Sequence, residues 1–285
     1  KMWVNSPFMI TRENVEVAME ARRRLGVPLQ PGTMPVAGAA TPVTIAGQLA
    51  QTTAESLALC AITLAVDDRL FGVSGGALVM DMRAASHRQW GPDVSLHRMA
   101  AQQMNAYLFG GRFTLVGYNA TAQVVSPQAL YEKALGTALD IAGGSRSIGI
   151  GCLACSDVAS LVQLMLDHEL GLFFRHLFRD VTVDDERIGE STVLDTAPRG
   201  AYYLDTDHTA RFFRDEMWFS EFMDYRNPLG WMQNPGDAIA RARDKAREMV
   251  RTAKNQCPLS EAQKAEIRKL VAAADREAEG SHRRS

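Results

Sequence analysis

The chain has 285 residues, 31 of them basic and 33 acidic, for a formal net charge of -2. So balanced a charge provides no overall field to draw the protein to nucleic acid or to an anionic membrane, and the expected ligand is a small molecule. Four scattered cysteines, Cys60, Cys152, Cys155 and Cys257, are too few for a disulfide scaffold and suit a reducing cytoplasm, while the longest apolar run, residues 57–66, is shorter than the roughly 18–20 residues that span a bilayer.

In chain order, a first helix is expected after Thr11, ending in the basic run Arg22, Arg23 and Arg24, where a helix carboxyl end favours cations. Short β-like runs at residues 34–37, 70–73, 113–116, 147–150 and 201–204 each precede a polar or glycine-rich break and then a helical pattern, which is βα rhythm. The break after 34–37 is the most informative. Gly38 and Gly47 let the backbone approach a ligand closely, Pro42 stiffens the turn between them, and a helix from about Ala46 aims free N–H groups at the same crevice. Ser126 before Pro127 marks another helix start, and Leu130, Ala134, Leu135, Ala138 and Ile141 recur at a spacing expected to face a sheet.

Ser156 and Asp157 are expected to open the next helix, with Val158, Leu161, Val162 and Met165 on its apolar face. Cys152 and Cys155 lie just before that start, where a thiolate would be stabilised; with no second pair to complete a zinc site, two buried small residues are the plainer reading. Glycine spacing at 72–76 and 149–155 does not fit a dinucleotide fingerprint. Residues 211–231 are dense in aromatics, 237–252 form a charged helix, and Ser260 with Gln263 forms a capping box before a last helix reaching about Ala278. No internal repeat stands out. The expected fold is α/β, a TIM (β/α)8-type barrel incomplete in this chain, with residues 1–232 as the barrel portion, 233–279 as helices packed on it and 280–285 as a disordered tail.

The segment Gly38-Ala39-Ala40-Thr41-Pro42-Val43-Thr44-Ile45-Ala46-Gly47 resembles one found in the trimethylamine methyltransferase family, with a departure at Ala40. Further similarities follow in the family's order: Asp81-Met82-Arg83, Gly91-Pro92-Asp93, Gln128 with Tyr131-Glu132-Lys133, Asp167 with Glu169, the stretch 204–214, then Trp218, Arg226 and Trp231. The resemblance implies a methyltransferase that passes a methyl group from a methylated amine to the Co(I) corrinoid (cobalamin) of a separate carrier protein, in a family whose longer amino-terminal region supplies the first barrel strands. Only standard residues occur at 115–119, where some members carry pyrrolysine, so the closer likeness is to the branch acting on quaternary amines such as glycine betaine. A non-catalytic betaine-binding barrel and an inactive truncated fragment remain as alternatives, and exposed barrel edges would favour a homodimer.

A cationic substrate is well held by aromatic faces and a nearby carboxylate. The candidate catalytic residues are accordingly His208, Asp81 and Glu132; Tyr118, Asn119, Gln128, Tyr203 and Arg83 are candidates for binding substrate, and Gly38, Gly47 and Thr209 for approaching the corrinoid. His208, a few residues past the expected strand at 201–204, is suited to a substrate carboxylate or to the corrinoid, or else to a structural place at a helix start. Gln128 and Glu132, one turn apart, either point into the pocket or form a hydrogen-bond network at the helix start. No resident metal is expected.

Overall fold

The computed structural model describes residues 2–68, 73–110, 113–115, 119–145, 147–254 and 256–282. The chain divides into two compact units, Lys1–Ala246 and Arg247–Ser285. The first opens with strand β1 (Met2–Trp3), helix α1 (Arg12–Leu25), β2 (Pro31–Thr33), β3 (Val36–Ala37), α2 (Ile45–Asp67), β4 (Val73–Gly75), β5 (Leu78–Asp81), β6 (Ser86–Arg88), α3 (Pro92–Phe109), β7 (Phe113–Leu115) and α4 (Pro127–Ala142). It continues through β8 (Cys152–Leu153), β9 (Val158–Ala159), α5 (Leu161–Leu177), α6 (Asp185–Ile188), α7 (Glu190–Thr196), α8 (Asp207–Glu216) and α9 (Pro228–Gln233) into α10 (Ala238–Thr252). The second unit takes the end of α10 and α11 (Glu261–His282).

Strands β1, β2, β4 and β7 form a sheet in that order, all parallel, with Trp3 opposite Gly32, Gly32 opposite Ser74 and Ser74 opposite Thr114. Parallel neighbours need a crossover, and α1, α2 and α3 supply one at each step. The fold is therefore mixed α/β, with more helix than strand. Helix starts follow the local chemistry: Thr11, Thr44, Ser126 and Ser160 each accept a bond from the third backbone N–H of their helix. Arg22, Arg23 and Arg24 occupy the last turn of α1. Ser260 and Gln263 cap α11 reciprocally, at 2.9 Å and 3.3 Å.

A second tier of extended chain lies past the first sheet. Of the run expected at 34–37 only Val36 and Ala37 are strand: Pro35 has no N–H for a ladder, and its carbonyl instead accepts from Leu78 N at 3.3 Å and Gln48 Nε2 at 3.3 Å, so that β3 pairs with β5 rather than prolonging β2. β5 then turns back antiparallel into β6. Of the other expected strands, 113–116 appears as β7, with Val116 outside the described residues, and 70–73 contributes only Val73 to β4, with 70–72 outside them.

Two expected strands are replaced. Described residues at 147–150 are irregular because side chains take the backbone groups there: Lys133 Nζ donates to Gly149 O at 2.8 Å, and Asp167 Oδ2 accepts from Gly151 N at 2.8 Å. Residues 201–204 are exposed and irregular after a tight turn that ends at Gly200, φ 62°, and among the described residues no strand pairs with them. The helix expected at Ser156 starts later, at Leu161 capped by Ser160, because Val158 and Ala159 pair back onto Cys152 and Leu153 as β9. Helix α11 runs to His282, past the expected end, and residues 283–285 of the expected tail lie outside the described residues.

The face of α4 is also not the one expected. Its buried residues are Ala129, Glu132, Lys133, Gly136, Thr137 and Asp140, whereas Leu135 is exposed. The pattern recurs in α2, where Gln48, Glu55, Ser56 and Thr63 are buried, and in α3, where His97, Arg98 and Asn105 are buried. Among the described residues α2 alone, with 23 residues and a mean hydropathy of 1.4 in its most apolar window, is long and apolar enough by composition to cross a membrane. In this fold it packs along β2 and α3 with Glu55 turned inward.

Candidate functional site

The loops that follow the parallel strands are held by one device used three times. In α2, α4 and α5 a glutamine and an acid stand four residues apart, and the amide donates to the carboxylate: Gln51 to Glu55 at 3.0 Å, Gln128 to Glu132 at 2.7 Å and Gln163 to Asp167 at 2.7 Å. Each carboxylate then takes backbone N–H groups from the loop leading out of a strand or into its own helix. Glu55 accepts from Phe8 N at 3.1 Å and from the Ser6 and Thr33 hydroxyls at 2.7 and 2.8 Å. Glu132 Oε2 accepts from Thr121 N at 2.6 Å and Ala122 N at 3.1 Å. Asp167 takes Gly151 N and the Lys133 ammonium, the latter at 3.2 Å.

Burial works to raise the Glu55 carboxyl, but its four donors outweigh burial and hold it below the usual carboxylate range. Burial wins at Asp167, which is pushed up even against the pull of Lys133. Two carboxylates in matching positions are thus tuned in opposite directions.

The clamped loops lie side by side. Ala154 N donates to Ala122 O and Cys155 N to Ala120 O, both at 2.9 Å, while the small residues Ala120, Ala122 and Ala129 pack against Leu153. The turn that follows is unusual for L-residues: Ala154, Cys155 and Ser156 have φ of 48°, 54° and 87° in succession. Non-glycine residues held there cost on the order of 1–3 kcal/mol each and persist only when their surroundings hold them. Here the surroundings do so: Asn119 Nδ2 donates to Ser156 Oγ at 2.7 Å, Gln89 Nε2 to Cys155 O at 2.8 Å, and the Cys155 thiol to His87 O at 3.4 Å. Burial pushes the Cys155 thiol up, so Cys155 is poorly placed for thiolate chemistry.

Asn119, Gln128 and Glu132 are therefore brought together in one loop layer. Glu132 has both oxygens engaged and acts as a positioning group for Thr121 and Ala122. Asp81 and Arg83 sit in the β5–β6 hairpin, where Asp81 accepts from the backbone N–H groups of Arg83 and Ala84 and pairs with the Arg83 guanidinium at 3.2 Å; these bonds hold its carboxyl at about 2. Gly38 borders the same hairpin: with φ 85° it closes a turn onto Thr41, and a Cβ there would lie 2.7 Å from the Met82 methyl. Gly47 lies inside the first turn of α2, where a Cβ would come within 2.6 Å of Pro42 Cβ, so it serves close packing of its own loop. Tyr118 lies outside the described residues.

His208, Tyr203 and Thr209 belong to a different neighbourhood. The His208 ring lies over Gly189, where a Cβ would approach to 2.8 Å, packs on Phe212, and donates from Nε2 to Arg187 O at 3.2 Å. The Thr209 N–H is capped by Thr206 Oγ1 at 3.3 Å, and the Tyr203 carbonyl accepts from Thr206 at the same helix start. Among the described residues, no three His, Cys, Asp or Glu side chains are grouped to hold a metal ion. The sequence reading missed the Gln51–Glu55 and Gln163–Asp167 clamps, although their spacing after a capped helix start matches the Gln128–Glu132 pair that it singled out. Nothing in the sequence marks the left-handed turn, since it contains no glycine.

The profile of the family described as Trimethylamine methyltransferase (MTTB) matches residues 1–280. The chain belongs to the trimethylamine methyltransferase family. A protein of Desulfitobacterium hafniense (strain DSM 10664 / DCB-2) named trimethylamine methyltransferase MttB is 23% identical over 231 residues, 80% of this chain and 45% of that protein. Proteins of the same name from Methanosarcina barkeri and Methanosarcina thermophila are 23% and 24% identical over 190 and 192 residues, 66% of this chain in both cases. The chain spans less than half the length of these relatives, 38% and 39% for the two Methanosarcina proteins. In trimethylamine methyltransferase terms, the matched region takes in the whole loop layer.

Proposed function

We propose that this chain forms part of a methyltransferase that removes a methyl group from a methylated amine, a quaternary one such as glycine betaine, and delivers it to the reduced corrinoid of a separate carrier protein. The observation that carries this reading is the family match over residues 1–280. The finer fold assignment, a (β/α)8-type barrel of which this chain supplies a portion, draws support from four parallel strands in sequential order with a helix at each crossover.

Breaking the C–N bond leaves its electron pair on the departing amine, and the corrinoid, as methyl acceptor, supplies the nucleophile. The chain's own task is to orient that bond and keep water away. The loop layer suits it, because ligands of parallel α/β folds bind beyond the carboxyl ends of the strands. Asn119 is the proposed substrate contact there, Tyr118, next to it in sequence, is proposed as a second, Gln128 and Glu132 fix the loop at Thr121 and Ala122, and Gly38 with the Asp81–Arg83 hairpin forms the adjoining wall. The ring contacts of His208 and the capping bonds that Tyr203 O and Thr209 make with Thr206 support a structural role for His208, the Tyr203 backbone and Thr209. The test is methyl transfer from a panel of betaines and trimethylamine to carrier-bound Co(I) corrinoid, followed by the corrinoid's absorption change. Transfer from one amine at the expense of the others supports the reading; binding of a betaine without transfer would instead favour a solute-binding protein.

A further inference from the structure

Exposed apolar surface is concentrated where the end of α5 meets the end of α8. Trp218 lies across α5, its ring 6.4 Å from Phe173 and 5.8 Å from His176, and Arg179 Nη2 donates to Glu216 Oε2 at 2.7 Å and to Glu216 O at 3.3 Å. Arg187 reaches the same glutamate at 3.9 Å and pairs with Asp184, so the chain from Arg179 to Asp184 is tied at both ends beside Glu216. These ties leave Leu177, Phe178, Val181, Val183, Met217 and Phe219 between 55% and 78% exposed. A free aromatic side chain presents about 150–250 Å² and an aliphatic one somewhat less, so the six together expose on the order of 600–700 Å². The largest apolar patch on a typical monomer is about 300–600 Å², and a stable pairwise interface takes about 800 Å² from each partner, polar rim included.

Four charged residues border the patch, Arg175 and Arg214 against Asp180 and Asp215, all exposed and none in an ion pair among the described residues; Arg214 instead lies over the Phe213 ring at 4.4 Å. Two cations and two anions cancel. Such a rim offers nothing to a strongly charged partner, but it suits a two-fold contact, in which the patch meets its own copy and each cation is set against an anion of the other. We infer that this face is the interface of a homodimer, in which a second copy of the chain packs its own Phe178 and Phe219 against these across a two-fold axis, with Arg175, Asp180, Arg214 and Asp215 pairing around the edge. The contact stands on apolar area and charge alone and is independent of the methyl-transfer reading.

Sedimentation velocity of the full chain over about 1–100 μM tests it, with circular dichroism of each variant to keep misfolding apart from a lost contact. A dimer is expected, weakened about tenfold or more by Phe178→Glu and by Phe219→Glu, each of which sets a charge into the apolar centre. Tyr202→Glu, at an 81% exposed residue before the opposite end of α8, should leave the dimer unchanged. Asp180→Arg with Asp215→Arg makes the rim wholly basic and should weaken association by a similar factor; adding Arg175→Asp and Arg214→Asp inverts every rim charge and should restore it. A chain that stays monomeric at the highest concentration, a dimer indifferent to both phenylalanine changes, or a loss on making the rim basic that full inversion does not recover would each overturn the inference.

Discussion

Two backbone N–H groups, on Thr121 and Ala122, depend on the single oxygen Glu132 Oε2. Glu132→Ala strands both, and each buried donor left unpaired costs about 1–3 kcal/mol, so a loss of about 2–6 kcal/mol in urea unfolding is expected. Glu132→Gln keeps an acceptor for the loop if Gln128 turns its own amide over, and the expected loss is only about 1 kcal/mol. A residue whose carboxylate served only a ligand would show little stability change in either variant. Gly47 poses a sharper contest. Alanine is favoured over glycine within a helix by about 1 kcal/mol, but a Cβ 2.6 Å from the ring of Pro42 meets a stiff neighbour, and overpacking costs about 1–3 kcal/mol. Gly47→Ala is therefore expected to lower the urea midpoint; a rise would show that the loop at Pro42 yields easily. At this scale the sequence is half legible. The four-residue spacing announces that Gln128 and Glu132 meet, whereas the partners of the carboxylate, eleven and ten residues back, are fixed only by where the loop runs. The surroundings of His208 are illegible for a related reason: its neighbours Arg187 and Gly189 lie about a score of residues upstream, and among the described residues the apolar run before it has no strand to join.

At the scale of elements, the helices around the parallel sheet turn polar faces inward. Periodicity places Leu130, Ala134, Leu135, Ala138 and Ile141 toward a sheet, and the structure buries Glu132, Lys133, Thr137 and Asp140 instead, because those side chains satisfy loop backbone and one another. Hydrophobic pattern locates helix starts and lengths here, since caps such as Ser126 act locally, but it does not choose the buried face when ion pairs occupy the interior. The Arg98–Asp140 pair between α3 and α4 is the clearest case, both side chains being 4% exposed and joined at 2.6 and 3.2 Å. Burial raises the Asp140 carboxyl, and Arg98 draws it back toward the charged form. Arg98→Met alone leaves a buried carboxylate without its guanidinium and is expected to cost about 3–5 kcal/mol, while Arg98→Met with Asp140→Leu recovers most of that loss, as replacing both members of a buried pair by packed apolar groups is often neutral. Chemical unfolding of the single and double variants at one pH measures both, and a double variant no better than the single would mean that the pair is bound into a wider network.

Over the whole molecule, stability should depend on pH through groups that sit where the strands meet the helices. Gln48 donates from Nε2 to Pro35 O and Leu78 O, so its Oε1 must accept, and His97 Nδ1 must be the donor that reaches it from α3. Burial lowers the His97 pKa, with Asp93 pulling the other way. A folded pKa below the unfolded value of about 6.5 means that the unfolded chain takes up the proton first, so His97 adds stability above about pH 6.5 that is lost as pH falls toward the folded value. Glu55 acts with the same sign at lower pH: its contribution is present above the unfolded value of about 4.3 and vanishes as pH falls through the folded one. Asp140 and Asp167, raised by burial, act with the opposite sign, their contribution being complete below about 3.9 and declining as pH rises through their folded values. Carboxylates have finished titrating by the time histidine begins, unless burial carries them far upward. Between about pH 7.5 and 5.5 the urea midpoint should accordingly fall, and His97→Gln, which keeps a donor for Gln48 but cannot titrate, should flatten that fall. A variant with the wild-type slope would assign the slope to another histidine, whereas a wild-type midpoint that rises on acidification would show that the raised aspartates outweigh His97 in setting how this fold responds to acid.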